Sequence, residues 1–295
     1  MKTLSLRHFL LALTVVAVWG SNFTIARLAL QNFPPVFFAF LRFLLVFFPA
    51  VLFIRRPAVP WRLLAAYGVL IGAVQFGFLF VALKQDISPG LASLVVQSQA
   101  FFTIGLSIFL SGERVKPFQW FALALAASGL GVIIVHGGAD ATPLGVILVL
   151  AAALGWAGGN QVSRMSGKVD MLGYVVWSSL FALPPLLALA LVFDGWPAIH
   201  SGLTNAGPVA WAALAYQAVA NSMFGYAVWG WLLARHPAAT VAPLSLLVPV
   251  FGFTVSALVL GEDFPLWKLA AFALVLGGLG FNLLWPRLRG AQISA

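Results

Sequence analysis

The sequence contains no cysteine and few charged residues. Without cysteine, disulfide bonds, thiolate metal sites and thiol catalysis are excluded. Charged residues make up 8% of the chain, whereas hydrophobic residues make up 62% and the mean hydropathy is +1.03. This composition is not that of a soluble domain, and it predicts a membrane protein.

Apolar segments of about 20 residues, the length that crosses a bilayer as a helix, recur along the chain. Ten such spans are predicted, at residues 8–30, 35–54, 63–83, 89–110, 117–136, 143–163, 171–193, 208–233, 239–260 and 266–285. The first span follows a basic N-terminus, as a signal peptide would, but its length and its Trp19, Asn22 and Arg27 indicate a retained helix. The predicted fold is all-α, a polytopic membrane protein with ten transmembrane helices.

Basic residues fall almost entirely on one side of these spans. With alternating connections and a cytoplasmic N-terminus, the cytoplasmic side holds Lys2, Arg7, Arg55, Arg56, Arg62, Arg114, Lys116, Arg164, Lys168, Arg235, Arg287 and Arg289. The other side holds Lys84 and Lys268. Because lysine and arginine concentrate in cytoplasmic loops, we predict a bacterial inner-membrane protein with both termini in the cytoplasm. Topology and anionic lipid account for the net charge of +9, so no nucleic-acid partner is predicted.

Two sets of recurring residues indicate an internal duplication. At a shift of 137 residues, Trp19 and Arg27 match Trp156 and Arg164. At a shift of 149 residues, the matches are Gly112-Glu113 with Gly261-Glu262 and Gly129-Leu130-Gly131 with Gly278-Leu279-Gly280. We predict five-helix repeats over 1–137 and 143–286, with a short basic cytoplasmic tail over 287–295. An odd number of helices inverts the second repeat, and inverted repeats are typical of transporters that open alternately to either side.

No aspartate or glutamate falls within the predicted spans, and the four histidines are peripheral. Paired-aspartate proteolysis and metal-assisted hydrolysis therefore have no candidate residues at membrane depth, and no cofactor is predicted. A drug–proton antiporter that binds cations on a buried carboxylate is disfavoured for the same reason. An enzyme would need the loop carboxylates Asp140 and Asp194 to converge on a hydrolytic site.

Uncharged polar and aromatic residues at mid-membrane depth are the candidates for a substrate site. They share helix faces at i, i+3 and i+4 spacing, with amides set among aromatic rings. The predicted lining residues are Trp19, Asn22, Gln75, Phe78, Gln99, Trp156, Asn160, Asn221, Tyr226 and Trp229. Gln97 is expected to point away from this cavity. The alternative is that the amides join helices and the tryptophans form interfacial belts.

Two arginines lie within the spans and are candidates for gating. Arg27 is near the outer end of the first span, and Arg42 lies about two turns into the second span from the same side. In a functional interpretation, either one binds a substrate carboxylate or closes an outer gate. In a structural interpretation, they snorkel to the interface or bond carbonyls of neighbouring helices.

Three further residues are assigned gating or structural roles. Glu113 and its counterpart Glu262 are expected at opposite faces of the membrane. Pro249 lies in the middle of the ninth span, where we expect a kink. The glycines of the fifth and tenth spans predict close helix contact.

Several stretches carry a family resemblance. They are VWGSNFTIARLAL (18–30), FLRFLLVFFPA (40–50), GLASLVVQSQAFFTIGL (90–106), GER (112–114), LGWAGGN (154–160) and VAPLSLLVPVFGF (241–253). The chain resembles the ten-helix exporters of the drug/metabolite transporter superfamily, in the EamA-like branch that includes YddG-like amino-acid exporters. The resemblance implies two inverted five-helix repeats around a cavity formed mainly by helices 1, 3, 4, 6, 8 and 9. It also implies export of small metabolites, commonly neutral or aromatic amino acids.

We therefore predict a secondary transporter, not an enzyme, that exports small neutral or aromatic amino acids and related metabolites by alternating access. Its partners are the small-molecule substrate and the lipid bilayer. Two alternatives stay open: an exporter of other small metabolites, nucleotide-like or lipophilic compounds on the same fold, and an intramembrane enzyme. Without a buried carboxylate, facilitated diffusion is at least as plausible as proton antiport.

Overall fold

The structure is a computed structural model that describes residues 5–111, 116–236 and 238–293. Helices make up almost all of these residues, and the one extended pairing among them is the isolated antiparallel bridge between Ile87 and Ala141. The all-α class predicted from the sequence is confirmed.

Ten long helical segments, α1 to α10, lie at the ten predicted spans. Five are continuous helices: α1 Leu6–Ala29, α2 Pro35–Phe47, α5 Pro117–His136, α6 Pro143–Met165 and α10 Leu266–Ile293. Within the described residues, nine segments are long and apolar enough to cross a membrane. The remaining one is α8, at 208–235, whose middle carries Gln217, Asn221 and Ser222 and is therefore less apolar. The chain is a multi-pass membrane protein.

The other five segments change helix type along their length. Three contain a π piece: α3 consists of Trp61–Gly68, Val69–Phe76 (π) and Gly77–Gln85; α7 of Met171–Leu189 and Ala190–Asp194 (π); and α8 of Pro208–Tyr216, Gln217–Phe224 (π) and Gly225–Arg235. Two contain a 3₁₀ piece: α4 consists of Pro89–Val95, Val96–Ser98 (3₁₀) and Gln99–Ser111, and α9 of Ala238–Val241, Ala242–Leu247 (3₁₀) and Val248–Leu260. A short helix, Trp196–Asn205, connects α7 to α8. π and 3₁₀ segments inside longer helices often mark functional sites.

The sequence predicts a kink at Pro249 in the middle of the ninth span, and this prediction is wrong. Pro249 lies in the first turn of the α-helical piece Val248–Leu260, which follows the 3₁₀ piece Ala242–Leu247. A proline costs no intrahelical hydrogen bond there, because the first N–H groups of a helix have no internal acceptor. The irregularity of α9 therefore precedes Pro249.

The two ends of the bundle differ in charge. The basic end carries the α2–α3 and α6–α7 connections, with Arg55, Arg56 and Lys168. The opposite end carries the α1–α2, α3–α4, α5–α6, α7–α8 and α9–α10 connections. Hydrogen bonds join these connections to each other, for example from Thr142 to Asp86 and from the Phe37 backbone N–H to Asp194.

Between the bundle centre and the opposite end, α1, α4 and α9 pack backbone against backbone. A Cβ atom on Gly20 of α1 would lie 2.6 Å from the carbonyl oxygen of Val248 and 2.9 Å from the nitrogen of Gly252. Ser93 of α4 is fully buried and lies against Gly252 from the other side. The three helices therefore leave no space for a side chain at Gly20 or Gly252.

α5 and α10 form a separate glycine-mediated pair. A Cβ atom on Gly278 would lie 2.6 Å from the carbonyl oxygen of Ala122 and 3.0 Å from the nitrogen of Ala126. Gly129 makes a similar approach to α10, whereas Gly131 and Gly280 face open space. The predicted close contact therefore depends on two of the glycines.

We predict that Gly278→Ala destabilises the protein by about 1–3 kcal/mol, because the added methyl group meets the rigid backbone of α5. The measurement is the Tm of the detergent-solubilised protein. Gly280→Ala is the matched control and should leave the Tm unchanged or slightly higher, since alanine favours a helix more than glycine does. Equal effects of the two substitutions would contradict this account of the contact.

Candidate functional site

A chamber of about 320 Å³ lies at the centre of the bundle and reaches toward the basic end. Its lining comes from α1, α3, α4, α6, α8 and α9, the six helices that the resemblance implied, together with Met171 of α7. The lining residues are Trp19, Tyr67, Gln97, Gln99, Trp156, Asn160, Ser163, Met171, Tyr226, Trp229, Gly230, Leu233, Ala242, Ser245 and Val248. None of these lining residues is charged.

A smaller recess of about 40 Å³ continues from the chamber. It is lined by Trp19, Asn22, Phe23, Gln75, Phe76, Leu79, Val96, Trp156, Asn221, Tyr226 and Val248. Two tryptophans, one tyrosine and Val248 line both spaces, so the recess directly adjoins the chamber. We call the two together the central cavity.

Nine of the ten residues predicted from the sequence line the central cavity, and Phe78 does not. Phe78 is 40% exposed on the outer surface of the bundle, and Phe76 takes the place expected for it. The π segment Val69–Phe76 has more residues per turn than an α-helix. A constant α-helical spacing therefore assigns Phe78, instead of Phe76, to the helix face that lines the cavity.

The expectation that Gln97 points away from the cavity is also wrong, because Gln97 lines the same chamber as Gln99. The 3₁₀ piece Val96–Ser98 separates the two glutamines, and its tighter winding brings both toward the cavity. Gln99 accepts a hydrogen bond from Asn160 Nδ2 at 3.0 Å, and this nitrogen also lies 3.4 Å from Thr103 Oγ1. These amides therefore both connect α4 to α6 and face the chamber.

Sequence reasoning missed Tyr67, Met171 and Ser245, which lie nearer the basic end. They come from the beginnings of α3, α7 and α9, where single polar or flexible residues give no periodic signal. Sequence reasoning also missed Phe76, because Phe76 lies in the π segment, where α-helical spacing does not apply. Proximity to a predicted span end is the only feature of the sequence that could have suggested the first three.

Aromatic rings form one wall of the central cavity. The centroid of Trp19 lies 5.7 Å from that of Tyr226 and 5.2 Å from that of Trp229. Trp19 Nε1 donates a hydrogen bond to the backbone oxygen of Asn221 at 3.2 Å, which joins α1 to the π segment of α8. This hydrogen bond orients the Trp19 ring, against which Tyr226 and Trp229 pack.

Two amide side chains in the recess have oxygens without partners. Asn22 and Gln75 are 4% and 3% exposed, and neither Asn22 Oδ1 nor Gln75 Oε1 has a hydrogen-bond partner within the described part of the chain. Buried polar atoms in proteins are nearly always paired, with protein groups, water or ligand. These two amides therefore have hydrogen-bonding capacity that the described residues leave unused.

Arg42 lies beside the recess, fully buried. Its guanidinium donates hydrogen bonds to Ser222 Oγ at 2.9 and 3.2 Å and to Gln217 Oε1 at 3.0 Å. Its Cζ lies 3.6 Å from the ring centroid of Phe76. The structural interpretation, in which Arg42 snorkels to the interface or bonds backbone carbonyls, does not describe this arrangement. The partners of Arg42 are side chains of two π segments.

At the opposite end, Glu262 is the centre of a cluster of ionic and hydrogen-bonding groups. This carboxylate accepts hydrogen bonds from Ser88 Oγ and Ser256 Oγ, and from the Gly90 backbone N–H at 3.2 Å. Lys268, fully buried, lies 3.1 Å from Glu262 and 2.9 Å from Asp140. The cluster joins α4, α9, α10 and the α5–α6 connection. Glu113, the predicted counterpart, lies outside the described residues.

Arg27 also strengthens the opposite end. It donates hydrogen bonds to the backbone oxygens of Leu83 and Lys84, and Lys84 donates to the backbone oxygen of Leu30. These bonds match the structural interpretation of Arg27, although its side chain also borders a polar cavity of about 420 Å³ at this end. Asp140 and Asp194 have separate partners, Lys268 and the Phe37 backbone, and form no hydrolytic pair.

Comparisons with known proteins agree with this architecture. The EamA-like transporter family model matches residues 6–135 and again residues 143–284. A Salmonella typhimurium protein described as a probable amino-acid metabolite efflux pump is 42% identical over 285 residues, with 95% of each chain covered. An Escherichia coli K12 protein with the same description is 40% identical over 294 residues, with 98% of each chain covered.

A solved crystal structure shares the fold at 21% identity, with a TM-score of 0.61 over 95% of this chain and 98% of the other. The family matches cover both halves of the chain and include the segments that line the central cavity. The protein is therefore a membrane transporter rather than an enzyme, and it belongs to the EamA-like transporter family.

Proposed function

We propose that this transporter exports small neutral or aromatic amino acids and related metabolites by alternating access. The observation that carries the proposal is the central cavity, which sets six amides among aromatic rings and has no charged side chain among its described lining residues. Such a lining suits a zwitterion, whose ammonium group is attracted to aromatic faces and whose polar atoms bond to amides. The chamber volume of about 320 Å³ falls in the range of small-molecule sites.

The similar proteins support the same substrate class. Both the Salmonella and the Escherichia coli proteins are described as probable amino-acid metabolite efflux pumps, and the alignments extend over nearly the full length of each chain. Nucleotide-like cargo fits less well, because phosphate groups are usually bound by arginine or lysine and none lines the described cavity.

We further propose two inverted repeats, at 1–137 and 143–286. The family model matches the chain twice, at 6–135 and 143–284. The π segments Val69–Phe76 and Gln217–Phe224 are both eight residues long and occur at nearly the shift that relates Gly112-Glu113 to Gly261-Glu262. The 3₁₀ pieces of α4 and α9 correspond in the same way. These correspondences support an alternating-access mechanism in which the repeats exchange conformations.

We assign the basic end to the cytoplasm of a bacterial cell, with both termini there, because of the distribution of lysine and arginine. With this orientation, the described conformation faces inward. Its chamber reaches the basic end, where Leu233 is 39% exposed, and the glycine contact and the Glu262 cluster close the opposite end. Glu262 and Arg27 then act as parts of an outer gate.

The substrate class is tested by counterflow of labelled amino acids into liposomes that contain the purified protein. We expect saturable flux of neutral or aromatic members of a panel that also includes acidic and basic amino acids. Gln99→Ala and Trp156→Ala should reduce this flux at least tenfold, because each removes a side chain that lines the chamber. Trp120→Ala, which removes a 60% exposed tryptophan away from the cavity, is the control and should retain the flux.

Absence of flux for every amino acid, with flux of nucleosides or lipophilic metabolites instead, would contradict the proposed cargo. The family assignment and the fold would be unaffected by that result.

The outer gate is tested by Glu262→Gln. Loss of the charge weakens the bonds that hold α4 and leaves Lys268 with Asp140 alone, so the opposite end should open more often. We predict hydrogen–deuterium exchange in a peptide spanning residues 88–95 that is several-fold faster than in the wild-type protein. Asp263→Asn makes the same charge change at the neighbouring exposed residue and should leave this exchange unchanged. Equal exchange in both variants would contradict a role for Glu262 in the outer gate.

A further inference from the structure

Arg42 carries a buried positive charge that no carboxylate within the described chain neutralises. Its partners are the hydroxyl of Ser222, the amide oxygen of Gln217 and the face of Phe76. These groups solvate a cation but bring no negative charge. Lys268, the other fully buried cation, differs because it has both Glu262 and Asp140. An unneutralised charge at membrane depth is costly and attracts an anion.

The position of Arg42 directs this attraction into the central cavity. The rings of Phe76 and Tyr226 line both the recess and the small space around Arg42. The guanidinium therefore lies directly behind the wall of the recess. Because Arg42 is fully buried, its field is screened less than it would be in water.

The recess also has the hydrogen-bonding groups and the size that a carboxylate needs. The amides of Asn22 and Gln75 are buried there, and each has an oxygen without a partner in the described residues. Rotation of a side-chain amide about its last bond presents N–H donors in place of the oxygen. A volume of about 40 Å³ accepts a compact polar group, while the chamber of about 320 Å³ holds the rest of a substrate.

We infer that Arg42 is the charge-selecting residue of this transporter, and that the substrate's carboxylate binds in the recess while its ammonium group faces the rings of Trp156 and Trp229 in the chamber. The inference rests on the proposed amino-acid function and adds a rule to it. Compounds that keep the carboxylate bind with or without the amino group, whereas the corresponding amines, which carry a net positive charge, are rejected.

Three compounds with one side chain separate these charges: phenylalanine, 3-phenylpropanoate and phenethylamine. Their dissociation constants are measured by the change in tryptophan fluorescence of the purified protein, since three tryptophans line the cavity. We expect phenylalanine and 3-phenylpropanoate to bind and phenethylamine to bind at least tenfold more weakly than either.

The decisive variant is Gln217→Glu, which places a carboxylate where Gln217 Oε1 now lies 3.0 Å from the Arg42 guanidinium. This nearly isosteric change neutralises Arg42 without removing it, although it also removes the hydrogen bond that Gln217 Nε2 donates to the Asn22 backbone oxygen at 2.9 Å. The lost attraction for the carboxylate alone should lower the preference for 3-phenylpropanoate over phenethylamine roughly 10- to 100-fold, as Coulomb's law gives for charges about 6–10 Å apart at an effective dielectric constant near 20, and the lost repulsion of the ammonium group adds to this. Gln31→Glu, the same change at an exposed residue of the opposite end, is the control and should keep the preference.

A second pair of variants tests the charge directly. Arg42→Met should lose the preference to a similar extent, and Arg42→Lys should keep most of it because the charge remains. Where Arg42→Met does not fold, Gln217→Glu still decides. An unchanged preference in Gln217→Glu would overturn the inference and leave amino-acid transport standing. Failure of all three compounds to bind the wild-type protein would overturn the proposed function, and the inference with it.

Discussion

Inside a bilayer no water satisfies backbone N–H and C=O groups, and this constraint explains where the structure is regular and where it is not. α5 and α10, which lie away from the cavity, are continuous helices packed through glycine. The π and 3₁₀ pieces in the middle of α3, α4, α8 and α9 all contribute to the central cavity or to the Arg42 site. Side chains complete the irregular backbone there, as when Ser222 Oγ donates to the Gln217 carbonyl five residues earlier.

The same constraint governs charge. Most ionisable groups lie at the two ends of the bundle, and at the opposite end Lys268, Glu262 and Asp140 neutralise each other. Arg42 is the exception, because it lies between the π segments of α3 and α8 and is solvated but not neutralised by any carboxylate of the described residues. In the proposed mechanism, the ionic cluster thus closes one end of the pathway, and the unneutralised charge lies beside the cavity.

Composition and apolar length were sufficient to predict the fold class and the positions of the helical segments, because both follow from the thickness of the bilayer. Helical spacing placed most of the cavity residues. It failed for Phe78 and Gln97, next to π and 3₁₀ pieces, since a constant 3.6-residue period does not describe those pieces. It also could not supply the partners of Arg42, which come from α8, far along the chain. Long-range contacts of this kind leave no periodic trace in one sequence.

The central claim is that the cavity opens toward the cytoplasm and is closed on the other side. Because the chain has no cysteine, a single Ser245→Cys substitution places a unique thiol in the chamber. A membrane-impermeant thiol reagent should label this residue rapidly in inside-out vesicles and slowly in intact cells, and transported amino acids should slow the labelling. Labelling from outside intact cells that is as fast as labelling in inside-out vesicles would contradict the account.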